Sequence, residues 1–530
     1  MLYNVVNMTN AITLEKIKTG YNNYQSFIKK FVYTDFYLAL VCLVVFIGWV
    51  TKCAPLGITG AVILACLALL DADDILPLTV NLFSAVLLVY SSNVSDYTKL
   101  WPIFIPLAIC LVFFFVKNGR HKFKIGKMFF PLIVVSYALL LGGVGTIIKQ
   151  DFLRVLPDFA LLGLGVPIVY ILYNHYLKQD KKRDFALYFS KTMMYIGLVI
   201  CLELIITIIQ SKQPVACWNE VVWEVGWADR NDVATYLIFT AGMTMYLSTR
   251  YRQGWIFLGL SIFQYACLIM TFSRGGIMFG AISGFTALIF TLIKAPNKKL
   301  HLLYIATAVL LVLILYLCLM KEINTMLASL IDRGFGTSNR NKLYKDAWEL
   351  FKAHPLFGVG KGYIGDLSLT HISVAGAYWF HSTFFQIIAC MGIMGIVAYL
   401  YFYGVRIKIL FKNIKNSFNL FCLAVFIGFE GYSLINTGTF IGYPFMALVI
   451  VMTLLQERIQ IDYSGFVTPY NYSTPWGDKI VQKEIEFIEK FRVKEQENKQ
   501  RRKTKKLPEH ASENTKPFDN QEIEQKHKNK

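Results

Sequence analysis

The stretch 271-TFSRGGIMFGAISGFTALIFTLIKAPNKKLHLLYIATAVLLVLILYLCLM-320 decides the fold. It reads as two apolar runs, near 277–294 and 300–320, joined by the basic turn 294-KAPNKK-299. A helix crossing the hydrocarbon core needs about 20 apolar residues, and each run has that reach. Neither contains Asp or Glu. Two spans with a short basic connector make a membrane hairpin, and the same alternation continues in both directions.

Outward from this hairpin, hydropathy marks about 14 spans. They lie near 35–50, 55–70, 75–91, 100–116, 128–148, 155–177, 185–210, 233–248, 255–272, 277–294, 300–320, 382–405, 418–436 and 438–455. Of the 530 residues 55% are hydrophobic and 16% charged, whereas soluble domains carry about 25% charged residues. A net charge of +19 would suit a nucleic-acid binder, but here the basic residues are parcelled between apolar spans. Nucleic acid is therefore not an expected partner, and membrane lipid is. The expected fold is an all-α polytopic membrane bundle. It comprises an N-terminal segment 1–34, a membrane domain 35–455 and a charged tail 456–530, helical in part and then disordered. About 34 mixed residues precede the first span, which reads as its own signal-anchor.

Loop charge sets the expected orientation. Lys29, Lys30, 117-KNGRHKFKIGK-127, 178-KQDKKRD-184, 249-TRYRQG-254, 294-KAPNKK-299 and 406-RIKILFKNIKNS-417 fall on one side. The opposite loops are poor in Lys and Arg, so both termini are expected in the cytoplasm. Two longer loops, about 211–232 and 321–381, then face outward, and long loops often carry function. Eight of the ten cysteines lie in apolar runs and read as small buried hydrophobes. Only Cys53 and Cys217 approach loops, and free thiols are favoured over a bridge between them.

The loop 321–381 holds the densest chemistry. In 338-SNRNKLYKDAWELFKAHPLFGVGKGYIG-365 the apolar positions Leu343, Tyr344, Ala347, Trp348, Leu350 and Phe351 form a helical stripe. Ser338 or Asn339 is the expected cap, and His354-Pro355 the end. Gly358, Gly360 and Gly362 give a permissive turn, but 358-GVGKGYIG-365 fails both nucleotide-loop templates. Arg340 at the helix start suits a phosphate; its bland alternative is a snorkelling surface arginine. Arg274, between Ser273 and two glycines at a span edge, is either a helix anchor or an anion site. His381, at the start of another span, is either a polar terminus or a general base.

Other ionisable groups fall in or near spans, where charge is costly. Asp158 and Lys191 read as interfacial or snorkelling residues. Glu203 and Glu430 could line a transport path, and Glu430 is the better candidate for a buried functional carboxylate. His354, His371 and His381 share a loop, but without Cys or tight spacing no metal site is expected, nor any cofactor. A transporter of lipid-linked glycan, or a scaffold acting through the charged tail, are the non-enzymatic alternatives.

At these residues the sequence resembles the O-antigen ligase and O-antigen polymerase family of polytopic bacterial glycan polymerases and ligases. The resemblance rests on 273-SRGG-276 at a span edge and on Arg340 ahead of a helix containing Trp348. It rests also on the His-Pro-Leu-Phe-Gly-Val-Gly run 354–360, the His-Ser start at 381, and Gly392 with Gly395, and it covers about 230–455. It implies transfer of a glycan from undecaprenyl diphosphate to an acceptor hydroxyl at the outer face of the bacterial cytoplasmic membrane, without metal and with inversion. The implied catalytic set is Arg274, Arg340 and His381, with Arg274, Arg340, Trp348, Gly358, Gly360 and Lys361 contacting substrate. The implied partners are a lipid-linked oligosaccharide donor and a glycan acceptor, with a chain-length regulator or flippase beside them. Polymerisation for a capsular, exopolysaccharide or O-antigen-type glycan is favoured over ligation to a glycolipid or protein. Members commonly have about 12 spans, set beside the 14 read from hydropathy.

Overall fold

A computed structural model of the chain describes residues 27–72, 74–84, 100–119, 125–145, 159–177, 184–214, 217, 230–251, 253–332, 340–361, 363, 379–436, 443–459 and 497. The chain divides into two units, Met1–Tyr472 and Ser473–Lys530. Only Glu497 of the second is described, so the expected tail helix lies outside the described residues, as do Asp158 and His371.

The first unit is helical throughout its described residues: α1 Asp35–Val50, α2 Ala54–Asp71, α3 Leu78–Ser84, α4 Phe104–Asn118, α5 Phe129–Leu141, α6 Val166–Tyr176, α7 Phe185–Ser211, α8 Arg230–Arg250, α9 Gly254–Met270, α10 Arg274–Lys294, α11 Lys298–Cys318, α12 Met320–Asp332, α13 Arg340–Ala353, α14 Thr383–Lys412, α15 Ser417–Ser433 and α16 Tyr443–Arg458. Small polar residues start many of them by accepting an orphan backbone N–H. Thr34, Asp184, Ser273, Asn297, Ser382 and Asn416 cap α1, α7, α10, α11, α14 and α15 in this way.

Among the described residues, seven helical segments are long and apolar enough to cross a membrane: Ala54–Asp71, Trp101–Asn118, Phe159–Tyr176, α7, α10, α11 and α14. Shorter apolar helices stand at α1, α5, α9 and α15. The other three expected spans coincide with α3, α8 and α16, which fail that test of length and composition. For α8 the reason lies in its place. Nearly all of its side chains are buried, and it packs against α7, α9, α10 and α15. A helix wrapped by others can carry hydroxyls, because they can bond back to the preceding turn. Thr235, Thr244, Ser248 and Thr249 donate to carbonyl oxygens three or four residues earlier, at 2.7–2.8 Å. At the other extreme α11 buries only His301 and presents its Leu, Ile and Val side chains outward, as a lipid-facing helix does.

Several charges are placed otherwise than local reading suggests. Lys191 is paired within the bundle: its ammonium lies 2.9 Å from the half-exposed Asp35 carboxylate and 5.3 Å from the Tyr251 ring. Arg250, counted among the loop charges, is buried and pairs with Asp184 at 2.7 Å while donating to Tyr246 Oη at 2.6 Å. Arg406, counted likewise, lies inside the bundle on α14, which continues past residue 405 to Lys412. Within the long loop, residues 320–332 form α12, a helix the apolar pattern did not announce. All ten cysteines are free.

Candidate functional site

Arg274 is the first residue of α10. Ser273 before it accepts the Gly276 N–H at 3.3 Å, and its hydroxyl also contacts two other helices. Ser273 Oγ donates to Asn231 Oδ1 of α8 at 2.8 Å and lies 2.6 Å from Tyr432 Oη of α15. Tyr432 Oη also lies 2.8 Å from Asn231 Oδ1, and the two hydroxyl protons are shared among the three contacts. The following glycines are needed for this approach. A Cβ at Gly275 would stand 2.5 Å from Ile435 Cδ1, and one at Gly276 would stand 2.6 Å from Ala234 Cβ. The backbone on both sides of Arg274 is therefore wedged between α8 and the end of α15.

That end of α15 is a meeting point. The Arg340 guanidinium donates to the carbonyl oxygen of Ile435, and Thr383 N, two residues after His381, donates to Asn436 O at 3.2 Å. Tyr432 holds Ser273, as above. Arg274, Arg340 and His381 thus stand on three separate elements, each bonded to the short segment 432–436.

His381 has a positive φ of 50°, which costs a non-glycine residue about 1–2 kcal/mol and is more common at functional sites. Its neighbours fix it there. Tyr344 Oη of α13 donates to His381 O at 3.3 Å, and the Tyr344 ring stacks on Phe385 at 4.3 Å and 9°. Phe380 N donates to Gln386 Oε1 at 2.9 Å. Burial pushes the Tyr344 phenol above its ordinary pKa, against an opposing pull from Arg340, so it remains a donor.

The glycine run has a different task from the permissive turn. Helix α14 is broken at Gly392, with φ 59° and ψ −147°. A break in a helix of this kind exposes backbone groups that must find partners in an apolar surrounding. Residues 355–360 supply them. Ile393 N and Met394 N donate to Pro355 O and Leu356 O at 2.8 and 3.2 Å, while Val359 N and Gly360 N donate to Ala389 O and Cys390 O at 2.8 and 2.9 Å. Gly358 (φ 62°) lies so close that a Cβ would meet Ala389 O at 2.4 Å. Gly358 N is bonded to His354 O at 2.9 Å. The amides of Val359 and Gly360 therefore anchor the loop to α14, while that of Gly358 closes the turn after α13. Lys361 beside them is buried. Trp348 is about half exposed and packs on Phe351, while Leu343 and Ala347 form the buried face of α13.

Beneath the meeting point, Arg406 Nη1 contacts Glu430 Oε1 at 2.6 Å. Tyr403 Oη donates to Glu430 Oε2 at 3.0 Å, and the rings of Phe402, Tyr403 and Phe426 lie 5.2–5.6 Å from the guanidinium. The pair ties α14 to α15 two residues before Tyr432, so Glu430 is a structural carboxylate here. Glu203 on α7 is fully buried, and neither carboxylate oxygen has a hydrogen-bond partner among the described residues.

Sequence reading missed Asn231, Tyr432 and Gln386. Arg230, buried at the start of α8 next to Asn231, was also passed over. The available signal was polar residues at span ends on the same side as Arg274 and His381.

A bundle with outward-facing apolar helices, and with cationic and hydroxyl groups gathered where several helices end, is a polytopic membrane protein with a polar site at its helix termini. Residues 236–400 match the family model described as O-Antigen ligase. The match includes Arg274, Arg340 and His381; Asn231 and Tyr432 lie outside it. No curated protein gives a significant match. The family-model match supports a membrane glycan ligase or polymerase function, with lipid-linked oligosaccharide and a glycan acceptor as the substrates such a domain implies.

Proposed function

We propose that the protein polymerises undecaprenyl-diphosphate-linked oligosaccharide at the outer face of the cytoplasmic membrane. The observation that carries this reading is the attachment of the Arg274, Arg340 and His381 elements to one segment, 432–436. The acceptor hydroxyl attacks the anomeric carbon as the bond from that carbon to the diphosphate oxygen breaks, so the centre inverts. The hydroxyl proton passes to the His381 imidazole, a step worth about 10²–10⁴-fold. The electron pair leaves with the lipid diphosphate, where Arg274 and Arg340 neutralise the charge that develops. The donor linkage carries the energy, so neither metal nor nucleotide enters the scheme. A flippase would deliver the donor, and a chain-length regulator would end growth.

The outward placement rests on charge. At the opposite helix ends Lys294 Nζ donates to Lys415 O at 2.6 Å. Arg458 donates to Asn174 O and Oδ1, each at 2.7 Å, and Lys127 N donates to Glu457. Lys and Arg concentrated at that end favour it as cytoplasmic.

The test is reconstitution of the purified chain with lipid-diphosphate oligosaccharide and no nucleotide. A ladder of longer products is expected, with new units joined at the non-reducing end of the acceptor unit. Arg274→Ala, Arg340→Ala and His381→Ala should each abolish the ladder while membrane abundance is retained. A normal ladder from all three variants would remove the mechanism, and transfer to a glycolipid or protein acceptor would make the enzyme a ligase.

A further inference from the structure

We infer that Tyr432, acting with Asn231 through Ser273, is a positioning residue for the Arg274 guanidinium, and so sets the affinity of the site for a polyprenyl diphosphate. The inference rests on the proposed role of Arg274. Three side chains from three elements close a triangle of polar contacts: Ser273–Asn231 at 2.8 Å, Tyr432–Asn231 at 2.8 Å and Ser273–Tyr432 at 2.6 Å. Ser273 and Tyr432 are buried at 3% and 2% exposure, and Asn231 is partly buried. Water therefore cannot readily replace a hydroxyl that is removed.

The triangle governs Arg274 because nothing separates them. Ser273 is the residue before Arg274 and the cap of its helix. Gly275, the residue after it, already lies against the Tyr432 ring, where a Cβ would stand 2.7 Å from Cε2. Moving Tyr432 or Asn231 must therefore carry the N-terminus of α10 with it. An arginine gripping a diphosphate through paired N–H bonds depends on direction as well as charge, and a misplacement of about 1 Å can cost about 10²-fold. Glu430, two residues earlier on α15, is held by Arg406 and ties that helix to α14.

Tyr432→Phe keeps the ring against Gly275 and removes only the hydroxyl. The test measures binding of undecaprenyl diphosphate to the full-length chain in nanodiscs for wild type, Tyr432→Phe, Arg274→Ala and the double variant. Arg274→Ala should weaken binding by about 10–100-fold and Tyr432→Phe by about 3–10-fold. The double variant should bind within about 2-fold of Arg274→Ala, because a residue that acts through Arg274 has nothing left to position. Losses that multiply in the double variant would make Tyr432 merely structural and overturn the inference. So would unchanged binding by Tyr432→Phe beside a weakened Arg274→Ala, with the proposed function left standing. Unchanged binding by Arg274→Ala would instead remove the reading on which the inference depends.

Discussion

Replacing Gly392 with alanine should detach the loop 355–360 from the break in α14. Gly392 sits at φ 59° and ψ −147°, a region open essentially to glycine, where a side chain costs about 1–3 kcal/mol. The added Cβ would also stand 2.4 Å from Pro355 O and 2.7 Å from Leu356 C. Relief requires the strap to move away, which strains the Ile393 N–Pro355 O and Met394 N–Leu356 O bonds. At about 0.5–1.5 kcal/mol each, those two bonds add about 1–3 kcal/mol, for a total near 2–6 kcal/mol. Gly404 on the same helix is the matched control. It has nothing within 4 Å of its Cβ position, so Gly404→Ala should gain about 0.5–1 kcal/mol from reduced chain entropy. Denaturant unfolding of the purified protein in detergent compares the two variants directly. If Gly392→Ala proves as stable as Gly404→Ala, the strap does not support the break and the structural role assigned to 355–360 is wrong.

Arg406→Ala should lower stability by about 3–5 kcal/mol, because Glu430 is then left buried without its cation, and Arg406→Met with Glu430→Leu should recover most of that loss in the same unfolding assay. Glu203→Leu should raise stability by about 1–3 kcal/mol by removing a buried unsatisfied group and should leave glycan length unchanged. Lost polymer from a stable Glu203→Leu protein would instead favour a transport role for that carboxylate. Truncation after Ile459 should preserve the ladder of products, since it retains the contacts of Glu457 and Arg458 with Tyr170, Lys127 and Asn174; loss of the ladder would support a scaffold function for the tail.

The candidate site was legible where chemistry and position coincide within a few residues. Arg274 between a capping serine and two glycines, and His381 ahead of the capping serine of α14, carry their signals locally. The cap of α10 at Ser273 follows from residue type, as do the ends of α11 and α15 at Asn297 and Asn416. The role of Gly358 and Gly360 was not legible in the same way. A glycine-rich turn looks alike whether it receives a ligand or docks on backbone, and the difference here is Ala389 and Cys390, about thirty residues further along.

Hydropathy is a sum over neighbours along the chain, so the apolar segments and their order follow from composition and spacing, and the excess of Lys and Arg at alternate connectors follows with them. Which helix is enclosed and which faces outward is a property of packing. Arg250 and Arg406 look like loop charges until Asp184 and Glu430 arrive from distant helices to neutralise them. Tyr432 likewise has no distinguishing local context; it matters because folding brings it within 2.6 Å of Ser273. Local pattern sets how each segment can exist in an apolar medium, whereas partners for buried polar groups are found only once the helices pack. That packing decided where the candidate site lies.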